Sequence, residues 1–373
     1  MSTGRLAICQ HFRNLRDPRR DHLKLHLLID IVTIAICGVI GGANTWVDIE
    51  TFATNRHAWL AQFLQLPNGI PSHDTIERVF SLINPRAFQR CVLAWLRPVT
   101  DALNIKHIAI DGKTLRGSVK PSSPHHYLHL VSAWASEARL SLGQVAVDEK
   151  SNEITAIPRL LEILNVKGAL VTIDALGCQK EIAAKIVEKQ GDYLLIVKEN
   201  QEHLHEDILD LFERAYAQDG SGFTLETFAT EEQGHGREEK RTYTILTNPE
   251  GIRNQEAWPK LKVIGQCLRE RTVAGKTSAE LHLFIGSRVG SAKAYGEALR
   301  HHWGIENNLH WQMDVTFAED ANRTQQREAA ENFSWLRRLA LMQLQKYSGK
   351  GSIQTRRYAA TLNEKVLEEI LNL

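Results

Sequence analysis

Two aspartates, Asp111 and Asp174, each stand at the end of a short run of residues typical of a β-strand. Asp111 ends the run 107–110, and Asp174 ends Val171-Thr172-Ile173. Neighbouring strand ends in a mixed sheet would bring the two carboxylates close together, where like charges raise a pKa unless a cation is shared. Because magnesium prefers a few carboxylates completed by water and substrate phosphates, the pattern predicts a divalent-metal site for phosphodiester chemistry.

A third carboxylate is expected from a helix, and Glu306 in the run 302–311 offers it. His302, Glu306 and His310 follow one another at intervals of four, so on a regular helix they share one face and could instead form a transition-metal site. Three further acids lie just beyond and could take the place of Glu306: Asp314, Glu319 and Asp320. His125, His126 and His129 lie in a predicted hairpin without a partner acid and are expected to be ordinary surface histidines.

The strands that must position the aspartates are predicted from about residue 105 onward. Runs at 107–111, 127–135 and 140–147 predict three consecutive antiparallel strands. A helix at 158–164, a strand at 170–173, a helix at 180–190 and a strand at 193–197 follow. This order predicts a mixed α/β sheet flanked by helices, of the ribonuclease H-like type.

The core is expected to be split in sequence. Its first part is residues 105–218, and a β-rich insertion with four strand candidates follows at 219–290. Residues 291–348 return to helical periodicity and supply the second part of the core, with the helix that carries Glu306. Residues 349–373 form a C-terminal tail or helix.

Residues 1–100 are predicted to form a helical N-terminal domain that binds DNA. Pro67-Asn68-Gly69 indicates a turn, and Ser72 then serves as the N-cap of a helix that carries Ile76, Val79 and Phe80. A helix, turn, helix outline occurs in DNA readers and in plain helical bundles. The helix after the turn is therefore either a recognition helix or a packing element.

Charge is distributed unevenly along the chain. A formal net charge of +1 speaks by itself against a nucleic-acid partner. However, residues 1–26 hold six Lys and Arg against two acids, and residues 321–365 hold nine against three. Both ends are therefore basic, which favours phosphate binding.

The chain carries no sign of export or of a membrane anchor. Its five cysteines are widely spaced without a CxxC pair, which argues against a disulfide framework and a zinc knuckle. The most apolar stretch leaves only residues 31–43 uncharged, shorter than the ~20 residues of a spanning helix, and is expected to be a buried helix. We expect a cytoplasmic protein that associates with the nucleoid when it binds DNA.

Four tracts resemble the H-repeat-associated family of bacterial insertion-sequence transposases. They are Ala109-Ile110-Asp111-Gly112-Lys113-Thr114-Leu115-Arg116, the run 148–158 beginning Asp-Glu-Lys-Ser-Asn-Glu, the run 172–180 around Asp174, and the block 302–314. The resemblance extends into the N-terminal region, to Asp17-Pro18-Arg19-Arg20 and the run 69–75. It covers nearly the whole chain.

The resemblance implies a DDE transposase with a ribonuclease H-like catalytic domain. Two magnesium or manganese ions would be held by Asp111, Asp174 and Glu306, and the enzyme would nick and join transposon ends in a paired complex of more than one copy. Related transposases often carry a Tyr-x2-Arg-x3-Glu-x6-Lys signature around the glutamate. This chain departs from it, with Leu299, His302 and Met313 at the Tyr, Arg and Lys places.

Several basic or polar side chains are candidate contacts for double-stranded DNA at the element ends and at the target. They are Lys113, Arg116, Lys198, Arg300, His302 and His310. Two other functions remain open. One is a DNA-binding protein from a decayed or host-adopted element that no longer transposes, and the other is a metal-dependent nuclease that cuts without joining.

Overall fold

A single nine-stranded sheet forms the centre of the molecule. The computed structural model describes residues 7–118, 127–148, 151–234 and 236–372; His125 and His126 lie outside them. The strands, in chain order, are β1 His107–Leu115, β2 Leu128–Ala135, β3 Leu140–Ala146, β4 Leu170–Ile173, β5 Asp192–Val197, β6 Thr224–Gly234, β7 Arg237–Thr247, β8 Val263–Val273 and β9 Lys276–Gly286. Their spatial order is β3-β2-β1-β4-β5-β9-β8-β7-β6.

The strand directions divide the sheet into two parts. β1, β2 and β3 are antiparallel neighbours, as the sequence predicts, and β4 and β5 run parallel to β1. β6 to β9 form an antiparallel meander that joins β5 through β9. The four strands predicted for residues 219–290 thus extend the central sheet and do not form a separate one.

Helices cover both faces of the sheet. In chain order, the α-helices of the described residues are α1 Ala7–Phe12, α2 Leu28–Ile40, α3 Trp46–Asn55, α4 His57–Leu60, α5 His73–Leu82, α6 Pro85–Ala102, α7 Glu153–Ile163, α8 Lys180–Glu188, α9 Glu202–Ala217, α10 Ala292–Ile305, α11 Trp311–Val315, α12 Arg327–Lys346, α13 Ile353–Leu362 and α14 Glu364–Leu371. Apolar residues of α7, α8 and α9 pack on one face, whereas α10 and α12 pack on the other.

The N-terminal helices are built around α12. Ser72 caps α5 by accepting a hydrogen bond from the backbone N–H of Thr75, as predicted. Ile76, Val79 and Phe80 of α5 are fully buried in the cluster that contains α12. The apolar stretch predicted as a buried helix is α2, and within the described residues no helix is both long enough and apolar enough to cross a membrane.

One helix begins earlier than the sequence suggests. The sequence predicts a helix at 158–164, whereas α7 starts at Glu153 and contains Pro158. Asn152 is its N-cap and accepts a hydrogen bond from the N–H of Ile154. The earlier start places Glu153 at the N-terminal end of α7.

Candidate active site

The register of β1 against β4 places Asp111 and Asp174 side by side. The last parallel pair is Ile110 with Ile173, and the two aspartates are the next residues on the two strands. The prediction that Asp111 ends its strand was wrong, because β1 continues to Leu115 along β2 alone. Asp111 therefore lies at the point on β1 where pairing with β4 stops. Neighbouring strands are about 4.8 Å apart, which sets the spacing between the backbones of the two aspartates.

Burial and mutual repulsion make both aspartates hard to ionise. Burial is the largest cause and Asp174 the next, and together they raise the pKa of Asp111 to about 7. Burial, followed by the charge of Glu153, raises the pKa of Asp174, while Lys198 lowers it. A cation bound here would relieve this repulsion.

Glu306 lies at the first position of a π-helical segment, Glu306–His310, between α10 and α11. Its carboxylate is exposed, and its charge also raises the pKa of Asp111. A π-helical turn is wider than an α-turn and is often found at functional sites. From this segment, Glu306 lies close enough to Asp111 for its charge to act on that carboxyl group.

A fourth carboxylate, Glu153, belongs to this group and was missed from the sequence. It raises the pKa of both Asp111 and Asp174. Its Oε1 lies 2.6 Å from Nε2 of His129, and a Cβ built on Gly112 would come within 2.1 Å of the same oxygen. Glu153 thus lies directly over the backbone next to Asp111. The helix-capping signal of Asn152 would have placed it at a helix start.

The histidines near Glu306 do not form a metal site with it. Nδ1 of His302 lies 3.1 Å from Oγ1 of Thr172, whereas Nδ1 of His310 lies 3.6 Å from Oδ2 of Asp111. Burial is the main cause that lowers the pKa of His302 to about 4 and of His310 to about 3, so both rings are neutral. Among the described residues, no three His, Cys, Asp or Glu side chains are grouped closely enough to hold a metal ion by themselves.

Two sequence families match the chain. The family described as Transposase DDE domain matches residues 103–343, and the family described as DDE_Tnp_1-associated matches residues 9–96. The chain belongs to the DDE-domain transposase family. This agrees with the resemblance found in the sequence.

Two relatives match the chain over most of its length, and a third matches a short part of it. This DDE-family chain is 39% identical over 370 residues to "Putative transposase YncI" of Escherichia coli O157:H7, covering 98% of the chain and 94% of the relative. It is 38% identical to "H repeat-associated putative transposase YhhI" of Escherichia coli K12, covering 90% and 89%. A shorter relative from the same strain, "Inactive transposase YbfQ", is 42% identical over 74 residues, which are 20% of this chain and 88% of the relative.

Two of the acids that follow Glu306 in this DDE-family chain, Asp314 and Glu319, share an ion-pair network with the buried Lys113, and the third, Asp320, forms a surface pair. Glu319 is fully buried and lies 3.0 Å from Nζ of Lys113 and 3.3 Å from Nη1 of Arg338. Asp314 pairs with the same Lys113, and Asp320 lies 3.7 Å from the exposed Arg116. Glu306 stays the predicted third acid. Asp314 and Glu319 hold the ammonium group of Lys113 inside the protein. The DNA contact suggested for Lys113 stays a prediction.

The other candidate DNA contacts lie in different surroundings. Lys198 and Arg116 are exposed, and Lys198 acts electrostatically on Asp174. Arg300 is 2.7 Å from Glu232 of β6, and His302 is buried. The three signature places occupied by Leu299, His302 and Met313 are all buried. Contacts of these side chains with DNA stay predictions.

Proposed function

We propose that the chain cleaves DNA at the ends of an insertion sequence and joins those ends to target DNA, by two-metal-ion catalysis at Asp111, Asp174 and Glu306. The observation that carries the proposal is the parallel pair Ile110 with Ile173, which aligns the two aspartates within a chain of the DDE-domain family. We expect Glu306, whose charge acts on Asp111, to join them from the π-helical segment.

The strand order supports a ribonuclease H-like core. Three antiparallel strands, β1 to β3, are followed by β4 and β5 on the other side of β1 and parallel to it. Helices lie on both faces of this five-stranded part. This is the arrangement predicted from the order of elements in the sequence, and the β6 to β9 meander is the addition to it.

The donor atoms at this place suit a hard divalent cation. Asp111, Asp174, Glu306 and Glu153 all offer carboxylate oxygens, which Mg²⁺ and Mn²⁺ prefer, and magnesium commonly uses one or two carboxylates with waters and substrate phosphates. DDE-family domains generally use divalent metals. When bound, two such ions would stabilise negative charge on the attacking and leaving oxygens of the phosphodiester.

The side chains of the chain have separate tasks in this scheme. Asp111 and Asp174 supply fixed negative charge at the strand ends, and their raised pKa values fall once a cation is paired with them. Glu306 is exposed and so faces incoming DNA. Lys198, exposed beside Asp174, is placed to meet a phosphate. In the first reaction water attacks the phosphodiester at the element end and frees a 3′ hydroxyl. That hydroxyl then attacks a phosphodiester of the target strand and displaces the target's own 3′ hydroxyl, without a covalent protein intermediate.

The test uses a duplex that carries the terminal inverted repeats of the element from which the gene comes. Asp111→Asn, Asp174→Asn and Glu306→Gln should each abolish magnesium-dependent cleavage while end binding is retained. Undiminished cleavage by any of the three would remove that residue from the site.

The products separate the proposed function from its rivals. Cleavage with joined strand-transfer product supports a transposase, and we expect the active species to be a multimer that pairs two ends. Cleavage without joined product would indicate a nuclease. Specific end binding without cleavage at any Mg²⁺ or Mn²⁺ concentration would indicate a protein that has lost transposition.

A further inference from the structure

A long groove runs along the outer edge of the sheet, between α6 and α7. β3 is the last strand on this side, and Leu142, Gln144 and Val145 of β3 form part of the groove floor. The groove has a volume of about 840 Å³. It is separate from the carboxylate cluster of the candidate active site.

The walls of the groove concentrate positive charge. Five basic side chains line it, Arg86, Arg90, Arg97, Arg159 and Lys167, against two acids, Asp101 and Glu162. Arg159 is in addition paired with Asp148 at 2.7 Å, so the local excess is two positive charges, against a formal net charge of +1 for the whole chain. A patch of this kind attracts a polyanion.

Three of these arginines form a stripe on α6. At 100° per residue, positions 86, 90 and 97 fall within about 40° of one another and span about 17 Å along the helix axis. Arg86 and Arg90 are exposed, and among the described residues neither forms an ion pair; Arg97 is 3.2 Å from the equally exposed Asp101. The guanidinium groups of Arg86 and Arg90 are therefore available for phosphate oxygens, and Arg97 can exchange its exposed partner for one.

The groove lies beside the candidate active site. Gln144 on its floor is opposite Ser132 of β2, and Ser132 is opposite Asp111 of β1. Gln144 on the groove floor is thus two strand spacings, about 10 Å, from Asp111 across the sheet. A duplex in the groove would pass the edge of the sheet at the height of the aspartates.

We propose that this groove binds the sugar-phosphate backbone of duplex DNA next to the bond that is cut. Only the identity of the DNA as an element end rests on the proposed function; the binding itself rests on the arginine stripe. The recognition is electrostatic, so the groove positions the duplex and reads no base sequence. Leu93 and Ile163 belong to the apolar part of the lining, against which sugar rings can pack.

The experiment measures duplex binding by the full chain carrying Asp111→Asn, so that no cleavage intervenes. Fluorescence anisotropy over a series of salt concentrations gives the slope of log K against log salt. Arg86→Ala/Arg90→Ala/Arg97→Ala should reduce that slope by about two to three and raise Kd roughly tenfold or more, because each lost phosphate contact releases about one counterion fewer.

A matched variant removes the same charge elsewhere. Arg214, Arg288 and Lys293 are exposed and lie outside the groove. Replacing all three by Ala should leave the slope nearly unchanged. The single change Arg90→Glu, at an exposed helix position, repeats the test with little risk to folding, and thermal unfolding verifies that each variant is folded.

Two results would overturn the proposal. If the groove triple and the matched triple lower the slope equally, only overall charge matters. If the groove triple and Arg90→Glu bind DNA like the parent chain, the groove belongs to another partner, such as an acidic segment of a protein. Neither result depends on cleavage. The proposed function can therefore fail while the groove still binds DNA, and the groove can fail to bind DNA while the proposed function holds.

Discussion

The ammonium group of Lys113 lies 3.0 Å from the carboxylate of Glu319, a side chain with no exposed surface. Lys113 stands on β1 two residues after Asp111, and Glu319 follows the helical segment that begins with Glu306. The ion pair therefore joins the strand that carries one candidate catalytic acid to the segment that carries another. Arg338 of α12 balances the remaining charge at 3.3 Å from Glu319.

Glu319→Gln should strongly destabilise the fold. Burial alone would raise the pKa of Glu319, but Arg338 and then Lys113 outweigh it and lower the pKa to about 2. The variant leaves those cations without their buried counter-charge, so the free energy of unfolding near neutral pH should fall by about 3–5 kcal/mol. Because the folded pKa lies below the ordinary value of 4.5, the wild-type advantage is complete above that pH and disappears as pH falls towards 2.

Denaturant unfolding at several pH values measures this effect. Asp320→Asn is the control, because the partner of Asp320 is Arg116, which is 81% exposed at 3.7 Å. Such a surface pair contributes about 0–1 kcal/mol. Equal losses in the two variants would contradict a special role of the buried pair.

Asp111→Asn should stabilise the metal-free chain at alkaline pH. Burial, followed by Asp174, raises the pKa of Asp111 to about 7, so the cost of ionising it in the folded state is absent below its ordinary pKa of 3.8 and complete above about 7. Wild-type stability relative to the variant should therefore fall as pH rises between these values, reaching a deficit of about 1–3 kcal/mol at mildly alkaline pH.

Unfolding in the presence of EDTA and then of excess Mg²⁺ checks this second prediction. Magnesium should close the gap by pairing with the ionised carboxylate, which the variant lacks. A wild-type chain that is as stable as Asp111→Asn in EDTA at alkaline pH would show that Asp111 ionises there without penalty.

His302→Ala should weaken the fold and leave the electrostatics of DNA binding unchanged. The ring is neutral and buried, and Thr172 joins it to His107, whose Nε2 is 3.0 Å from the same hydroxyl. Loss of this hydrogen-bonded chain should cost about 1–3 kcal/mol. Arg116→Ala is the comparison, because an exposed arginine that contacts a phosphate changes the salt slope by about one. A lower slope of log K against log salt for His302→Ala would instead support a DNA contact by His302.

The two strands that carry the aspartates were predictable because their signals are local. Apolar runs of strand length precede Asp111 and Asp174, and the order of elements predicted a mixed sheet with β1 beside β4. The continuation of β1 to Leu115 was missed because Gly112 to Leu115 pair only with β2, a long-range contact. The merging of β6 to β9 with the central sheet depends on the pairing of β9 with β5, which no local pattern reports.

Charge counts misled at the C-terminal end for a physical reason. Residues 321–365 are basic in sequence, but Arg337, Arg338 and Arg357 are buried. Arg338 neutralises Glu319, and Arg357 donates hydrogen bonds to backbone carbonyls, among them that of Ala43. A count along the chain cannot distinguish an arginine that holds the core together from one that meets DNA. The basic groove, in contrast, draws its charges from two helices distant in sequence.

Glu153→Gln should lower magnesium-dependent cleavage roughly 10–100-fold and raise the Mg²⁺ concentration needed for half-maximal activity. The reason is that Glu153 adds a negative charge felt by both Asp111 and Asp174, which favours a cation between them. Glu181→Gln is the matched control, since Glu181 is exposed near the start of α8 and should leave both quantities unchanged.

A second substitution, at Gly112, should displace the carboxylate of Glu153 while residue 153 stays a glutamate. In Gly112→Ala the new Cβ would lie 2.1 Å from Oε1 of Glu153 and 2.6 Å from Nε2 of His129, so both side chains must move. If the position of Glu153 matters, this variant should share the magnesium defect of Glu153→Gln, and combining the two changes should add little because both remove one interaction. Wild-type cleavage by Glu153→Gln together with a defect in Gly112→Ala would assign the effect to His129 or to β1 and remove Glu153 from the site.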